Sequence, residues 1–494
     1  MRRHPVARTL IYSHRWLGIV GGVLIFVWFA SGIVMMYARM PVLDPKERIS
    51  RLAPLDVAAL RIAPDAVAPD ATRLIITTLG DRPVYRVVAG GKPRTIFADS
   101  GDTLAPVTAD RAVEIAKAFI GDAAGSVRYD ARLEDADQWT FGVRGQMPLH
   151  RISIGDADDT RLYVAERSGE VVMKSTASGR QWGFLGAVLH WIYFTPFRRN
   201  APLWAQTIIW TSVAGVVMSI AGLLWGVWRY SPSRRFRLKR QPRRSPYAGL
   251  MKWHHYAGLL FGVTTITWLF SGLLSMEPWD WTPGTAPTRE QRDSVSHGPF
   301  RAGDIKLDAL KQAVVSYGAE RPKEIEVVRF RGRYFARAQA GIVSLEDPFK
   351  GPDMTLHADQ MLAAAREAMP AASMDGVFWM DKYDSYYYDR DGRLSLPVLR
   401  VRYTDPQQTW LYFDPRRGAI VRKEERLTRI NRWLYHGLHS FDFPFLYYHR
   451  PLWDIVVIVF SLGGMLLSAT TMLPAWRRVK RRVRAMGRAA LLRV

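Results

Sequence analysis

Cysteine is absent from this chain of 494 residues. Its absence excludes disulfides, thiolate metal sites, iron–sulfur clusters held by cysteine and covalently attached c-type haem. Signatures of hydrolysis are missing too. No evident serine-nucleophile motif and no H-E-x-x-H pair occurs, so a peptidase or hydrolase has little support. No G-x-G-x-x-G follows a strand pattern, which leaves no dinucleotide-binding unit. Acidic residues are lacking from three short basic stretches: residues 1–15, with Arg2, Arg3, Arg8 and Arg15; residues 229–252, with nine Lys or Arg; and the tail from Ala475, with eight.

Lys, Arg and Glu are also absent from four long apolar runs, 16–37, 203–228, 256–276 and 452–473. Each is long enough to cross a bilayer, which needs about 20 apolar residues. The first follows a basic start, but its apolar run exceeds that of a signal peptide and it reads as a retained anchor. The three basic stretches flank these runs. The positive-inside bias then places both termini and the 229–255 loop in the cytoplasm, and the net charge of +24 reflects topology and anionic lipid rather than nucleic acid.

What remains divides cleanly. Residues 1–15 and 474–494 are basic cytoplasmic ends, 38–180 and 277–430 are large polar segments on the far side, and 181–202 and 431–451 are membrane-proximal. The far-side segments each have room for an α+β domain. In the first, Leu74–Thr78, Val84–Val88 and Thr95–Ala98 read as strands, and Thr108 as the N-cap of a helix to Ile120. Further strands are expected at Leu149–Ile154, Arg161–Val164 and Val171–Met173. In the second, helices are expected at 304–316 and 357–369 and strands at Val398–Tyr403, Thr409–Phe413 and Ala419–Arg422. Trp379 to Asp389 alternates aromatic and acidic residues, as a half-buried strand and its turn would, and is also a candidate surface for a bound ligand. The segments after Pro64 and over 283–300 read as loose.

The chain repeats itself. His14-x3-Gly18-x3-Gly22, running on to Ser31-Gly32, returns 240 residues later as His254-x3-Gly258-x3-Gly262, running on to Ser271-Gly272. A second repeat joins Leu189-His190 and Pro202-Leu203-Trp204 to Leu438-His439 and Pro451-Leu452-Trp453, and the helices that follow carry matching small residues. Helical spacing puts each His and its glycines on one face. Small stripes alone fit ordinary helix packing. Four histidines recurring in register at membrane boundaries are different, because titratable groups there are costly. Neutral imidazole is a usual axial ligand of haem iron, so His14 with His254 near the cytoplasmic face, and His190 with His439 near the other, mark two haem b centres and an electron relay. His255 beside His254, and His436 one turn before His439, leave those two assignments open. Arg15, Arg180, Arg198, Arg432 and Arg450 are candidate partners for haem propionates.

These motifs resemble the PepSY-associated transmembrane family, through the H-R-W-L-G opening at His14 to Gly18, its counterpart at His254, and the stretches Pro397 to Arg402, Trp433 to Asp442 and Arg450 to Asp454. The resemblance implies an integral membrane α-helical protein of four transmembrane helices, internally duplicated, with two extracytoplasmic α+β PepSY-like domains in a bacterial inner membrane. It implies two b haems with iron ligands at His14, His190, His254 and His439, and a ferric siderophore or other ferric chelate reduced in the periplasm. Quinol or a separate cytoplasmic reductase would supply electrons. The competing expectation is a non-enzymatic PepSY membrane protein that binds or inhibits a peptidase, or senses an envelope signal.

Overall fold

The structure is a computed structural model that describes residues 5–121, 126–238, 241–319, 321–389 and 394–491. Arg2, Arg3 and the last residues of the basic tail lie outside the described residues. The chain divides into two compact units: residues 1–40, 181–282 and 430–494 form one, and residues 41–180 and 283–429 the other.

The first unit is a bundle of four long apolar helices, Pro5–Met35, Ala201–Trp228, Leu250–Leu274 and Leu452–Leu491, and is a multi-pass membrane protein by length and composition. The first and third helices each pack against the second and fourth. Ile25, Phe29, Met218 and Leu269 are buried at the centre. Close approach is possible because small residues line the contacts: a Cβ at Gly464 would stand 2.3 Å from the Phe29 ring. Two boundaries differ from the hydropathy reading. The first helix begins at Pro5, so His14 lies within it, and the fourth continues through Pro474 to Leu491, so the basic tail is helical rather than a separate end.

The second unit is α+β. Strands β1 (Arg73–Leu79), β2 (Arg82–Ala89) and β3 (Lys92–Phe97) come from the segment between the first two long helices, as do β4 (Val127–Leu133), β5 (Leu149–Ile154), β6 (Arg161–Ala165) and β7 (Val171–Ser175). The second segment supplies β8 (Ile325–Phe330), β9 (Arg333–Ala338), β10 (Gly341–Ser344), β11 (Met374–Met380), β12 (Val398–Tyr403), β13 (Trp410–Asp414) and β14 (Ala419–Glu424). The two polar segments share a sheet. β1 pairs antiparallel with β8, Leu74 opposite Val327, so β10-β9-β8-β1-β2-β3 is one six-stranded sheet. Each three-stranded half would otherwise leave an unpaired edge, and joining the edges satisfies both. Leu74, Ile76, Tyr85, Ile325 and Val327 are buried in its core.

Two four-stranded antiparallel sheets complete the unit, β4 to β7 and β11 to β14 in sequence order. Helix Ala109–Ile120 packs Ala112, Ala116 and Phe119 onto the first, and helix Ala358–Ala368 packs Met361, Ala364 and Ala365 onto the second. Thr108 caps the former, accepting from the Arg111 N–H at 3.3 Å. The 283–300 segment is not loose: Arg289–Ser296 is a helix opened by a reciprocal Thr288 and Gln291 capping box. β8, β9 and β10 went unread in the sequence, as did β4 and the upstream start of β11.

Two facing histidine pairs

His14 on the first helix and His254 on the third meet across the bundle. Their Nε2 atoms are 3.5 Å apart and their ring centroids 5.8 Å. Each Nδ1 lies 3.0 Å from a helical carbonyl, Met218 O for His14 and Leu467 O for His254. A carbonyl only accepts, so each Nδ1 carries the proton and each neutral ring turns an Nε2 lone pair toward the other. Two facing lone pairs at this distance are not a hydrogen bond; they are two imidazole donors of the kind that can hold a metal ion. Metal–imidazole bonds are about 2.0 Å long, so an ion between them needs the nitrogens about 4 Å apart, roughly half an ångström wider than here.

The pair lines a cavity of about 540 Å³ whose walls include Gly18, Gly22, Gly222 and Gly258, within the usual range for sites of organic ligands. Gly222 is required by close approach: a Cβ there would fall 2.4 Å from Cε1 and Nδ1 of His14. Arg15, Arg477 and Arg478 also line this cavity, cations suited to carboxylates of a bound group. Donor set, volume and flat glycine wall all fit a haem.

His190 and His439 form the second pair, with ring centroids 6.0 Å apart at 77°. Each follows a widened helical turn, Phe184–Val188 and Trp433–Gly437, and a last turn that ends on a left-handed residue, Ile192 (φ 54°) and Phe441 (φ 50°). The chain breaks there in the same way twice. Trp204 Nε1 donates to Trp191 O at 2.9 Å and Trp453 Nε1 to Ser440 O at 2.8 Å, each indole satisfying a carbonyl that the broken helix leaves open. The repeated Pro-Leu-Trp motif therefore closes the turn that carries the histidine.

The repeated Ser-Gly pairs have an equally definite place. His190 Nδ1 lies 3.1 Å from both Trp28 O and Ser31 Oγ, while His439 Nδ1 lies 3.0 Å from Ser271 Oγ. Gly32 and Gly272 lie beside these rings: a Cβ at either would be 3.6 Å from the Cε1 of His190 or His439, at ordinary van der Waals contact. Ser31 and Ser271 are buried, donate back to the helix carbonyls of Val27 and Trp268, and hold these rings in place.

Geometry bears on the two open choices. His255 spends both ring nitrogens, on Ser245 Oγ at 2.7 Å and Gly226 O at 2.8 Å. His439 faces His190, whereas His436 lies against Tyr435 with ring centroids 4.3 Å apart. Of the candidate propionate partners, Arg15 alone lines the cavity. Arg180 pairs with Asp159 in the other unit, Arg432 with Asp442 and Arg450 with Asp454, while Arg198 lies over Tyr193 and Trp204. Among the described residues no group of three or more His, Asp or Glu that could hold a metal ion occurs.

No curated protein matches the sequence. The family model of the PepSY-associated TM region matches residues 11–324, a span that includes His14, His190 and His254. Covering well over half of the chain and reinforced by the four-helix bundle, the match makes this protein a member of the PepSY-associated TM family.

Proposed function

We propose that the protein is an internally duplicated di-haem b oxidoreductase of a bacterial inner membrane, with both termini cytoplasmic and its α+β unit in the periplasm, where it reduces a ferric chelate such as a ferric siderophore. The observation that carries this reading is the facing Nε2 pair of His14 and His254, each imidazole locked by a carbonyl on a neighbouring helix. When bound, a b haem supplies a one-electron carrier with no open coordination position.

The chain's own residues do the rest. Met218 and Leu467 carbonyls fix the tautomer of the first pair, and Ser31, Ser271 and Trp28 orient the second. Apolar side chains between the pairs, Ile25, Phe29, Met218 and Leu269, keep the interval dry. Quinol or a separate cytoplasmic reductase is the electron source in this reading. Each electron delivered converts one ferric ion to ferrous, which hard oxygen ligands hold less tightly, so the metal leaves without hydrolysis of the chelator.

The test is haem content and the reduced-minus-oxidised absorbance spectrum of the purified protein, repeated for His14→Ala and His439→Ala. Two b haems per chain, with a different centre lost in each variant, are expected. A folded, inserted protein that binds no haem would refute the proposal and leave peptidase binding or envelope sensing as the function.

A further inference from the structure

The two four-stranded sheets of the α+β unit are built alike but charged differently on the face turned away from their helices. In β4 to β7 every arginine of that face has a carboxylate: Arg151 meets Asp130 and Asp137 at 3.6 and 3.5 Å, and Arg161 and Arg180 meet Asp159. Ser153 stands opposite Arg161 and bonds Asp130. In β11 to β14 the corresponding register reads Arg402 opposite Trp410, with Arg400 opposite Tyr412. An ion-paired position has become an aromatic one, and a serine has become a third cation.

Arg400, Arg402 and Arg429 all lie over the Trp410 ring, at 5.2, 4.5 and 4.2 Å from its centroid. Arg400 and Arg402 also lie over Phe378, at 4.9 and 4.5 Å. Gly376 permits this, since a Cβ there would strike the Phe378 ring at 2.6 Å. Counter-charge is short. Arg400 pairs with Asp384, but Arg402 has no carboxylate partner among the described residues, and Arg429 spends its Nη1 on the carbonyls of Gln408 and Glu424. The Nε atoms of Arg400 and Arg402 are buried without a hydrogen-bond partner, as are those of Arg151 and Arg161 in the sister sheet, but there a carboxylate stands by each guanidinium. Burial holds the Arg429 guanidinium below its ordinary value. Cation–π contacts stabilise such groups by less than the cost of removing several like charges from water.

The geometry points to the Arg400, Arg402 and Arg429 cluster, floored by Trp410 and edged by the exposed Phe378, as the binding site of an anionic, oxygen-rich ferric chelate with flat aromatic ligands. This assignment of substrate class rests on the ferric-chelate reading above. Guanidinium forks bind oxyanions bidentately, and the guanidinium planes laid over the two rings, with the exposed Phe378 at their edge, give a planar ligand a flat face to stack on. An uncharged or cationic chelate gains nothing from the same cluster.

The test uses the full chain in phosphatidylcholine nanodiscs and redox-inert gallium complexes, so that binding is read by calorimetry without electron transfer. Gallium tris-catecholate, a trianion, is expected to bind, to weaken with added salt, and to lose about tenfold or more in affinity in Arg402→Ser, which restores the residue the sister sheet carries at Ser153. Arg402→Lys is expected to fall between. Equal affinity in Arg402→Ser, or equal affinity of the wild type for an uncharged gallium tris-hydroxamate, would overturn the site; the latter comparison needs no variant to fold. Binding is expected to persist with phosphatidylglycerol in the disc, and its loss there would give the cluster to lipid phosphate instead. Haem content and ferric reduction on the same samples separate the two ideas: haem present with unchanged gallium binding in the variant sinks the anion site alone, and haem absent sinks the redox reading alone.

Discussion

Gly222→Ala is the sharpest probe of the first histidine pair, because one methyl group meets the ligand ring and nothing else in the second helix changes. The new Cβ would stand 2.4 Å from Cε1 and Nδ1 of His14, where ordinary carbon contacts are about 3.5–4.0 Å. The ring must retreat by about 1 Å, and its 3.0 Å bond to Met218 O goes beyond hydrogen-bonding range. Losing that bond costs about 1 kcal/mol, and the overpacking adds about 1–3 kcal/mol. Together, at about 2–4 kcal/mol, they weaken the hold on a group at this pair by roughly 30- to 700-fold. Haem per chain should fall from two toward one, with the surviving spectrum matching that of His14→Ala and the helical circular dichroism unchanged. Wild-type haem content and spectrum in Gly222→Ala would refute the assignment of this cavity.

His255→Gln should leave both haems in place while lowering thermal stability by about 1–3 kcal/mol, since two buried hydrogen bonds lose their shared ring; loss of a haem would show that His255, not His254, is the ligand. Trp453→Phe removes the donor to Ser440 O and should cost about 1 kcal/mol, shifting the midpoint potential of one centre only; a shift in both would contradict the separate seating of the pairs. In the α+β unit, the Arg132 hydrogen bond holds the Glu166 carboxyl below its ordinary value. Its contribution to stability is therefore full above about pH 4.3, the unfolded value, and is lost as pH falls through the lower folded value. Thermal melts of Glu166→Gln against wild type should differ at neutral pH and converge in acid; a constant gap down to pH 3 would contradict this.

Much of the bundle was legible because its signals are local. Hydropathy located the four spans, and the repeat singled out Ser31-Gly32, Ser271-Gly272, Trp204 and Trp453 before any contact was known. Their jobs were not legible. A serine's service to an imidazole on another helix, or an indole's closure of a carbonyl, is a tertiary fact. The partners that distinguish His255 from His254, Ser245 and Gly226, are brought to its ring only by folding. β8 and β9 escaped notice because Arg329, Arg333 and Arg337 interrupt their apolar alternation, and the β1 to β8 pairing joins edges that carry no pattern linking them. The Thr288 and Gln291 capping box was readable and was passed over for the prolines around it.

The seam between β1 and β8 sets an order on how this protein can be made. β1, β2 and β3 are complete once the chain has passed Phe97, yet the partner of β1 begins only at Ile325, after two further membrane helices. Through that interval the nascent protein carries an exposed strand edge, the kind that invites pairing with a neighbour. Closing it late also fastens the start of the chain to its second half. Neither outer segment is a finished object alone, and a break between them would free a sticky fragment rather than a working half.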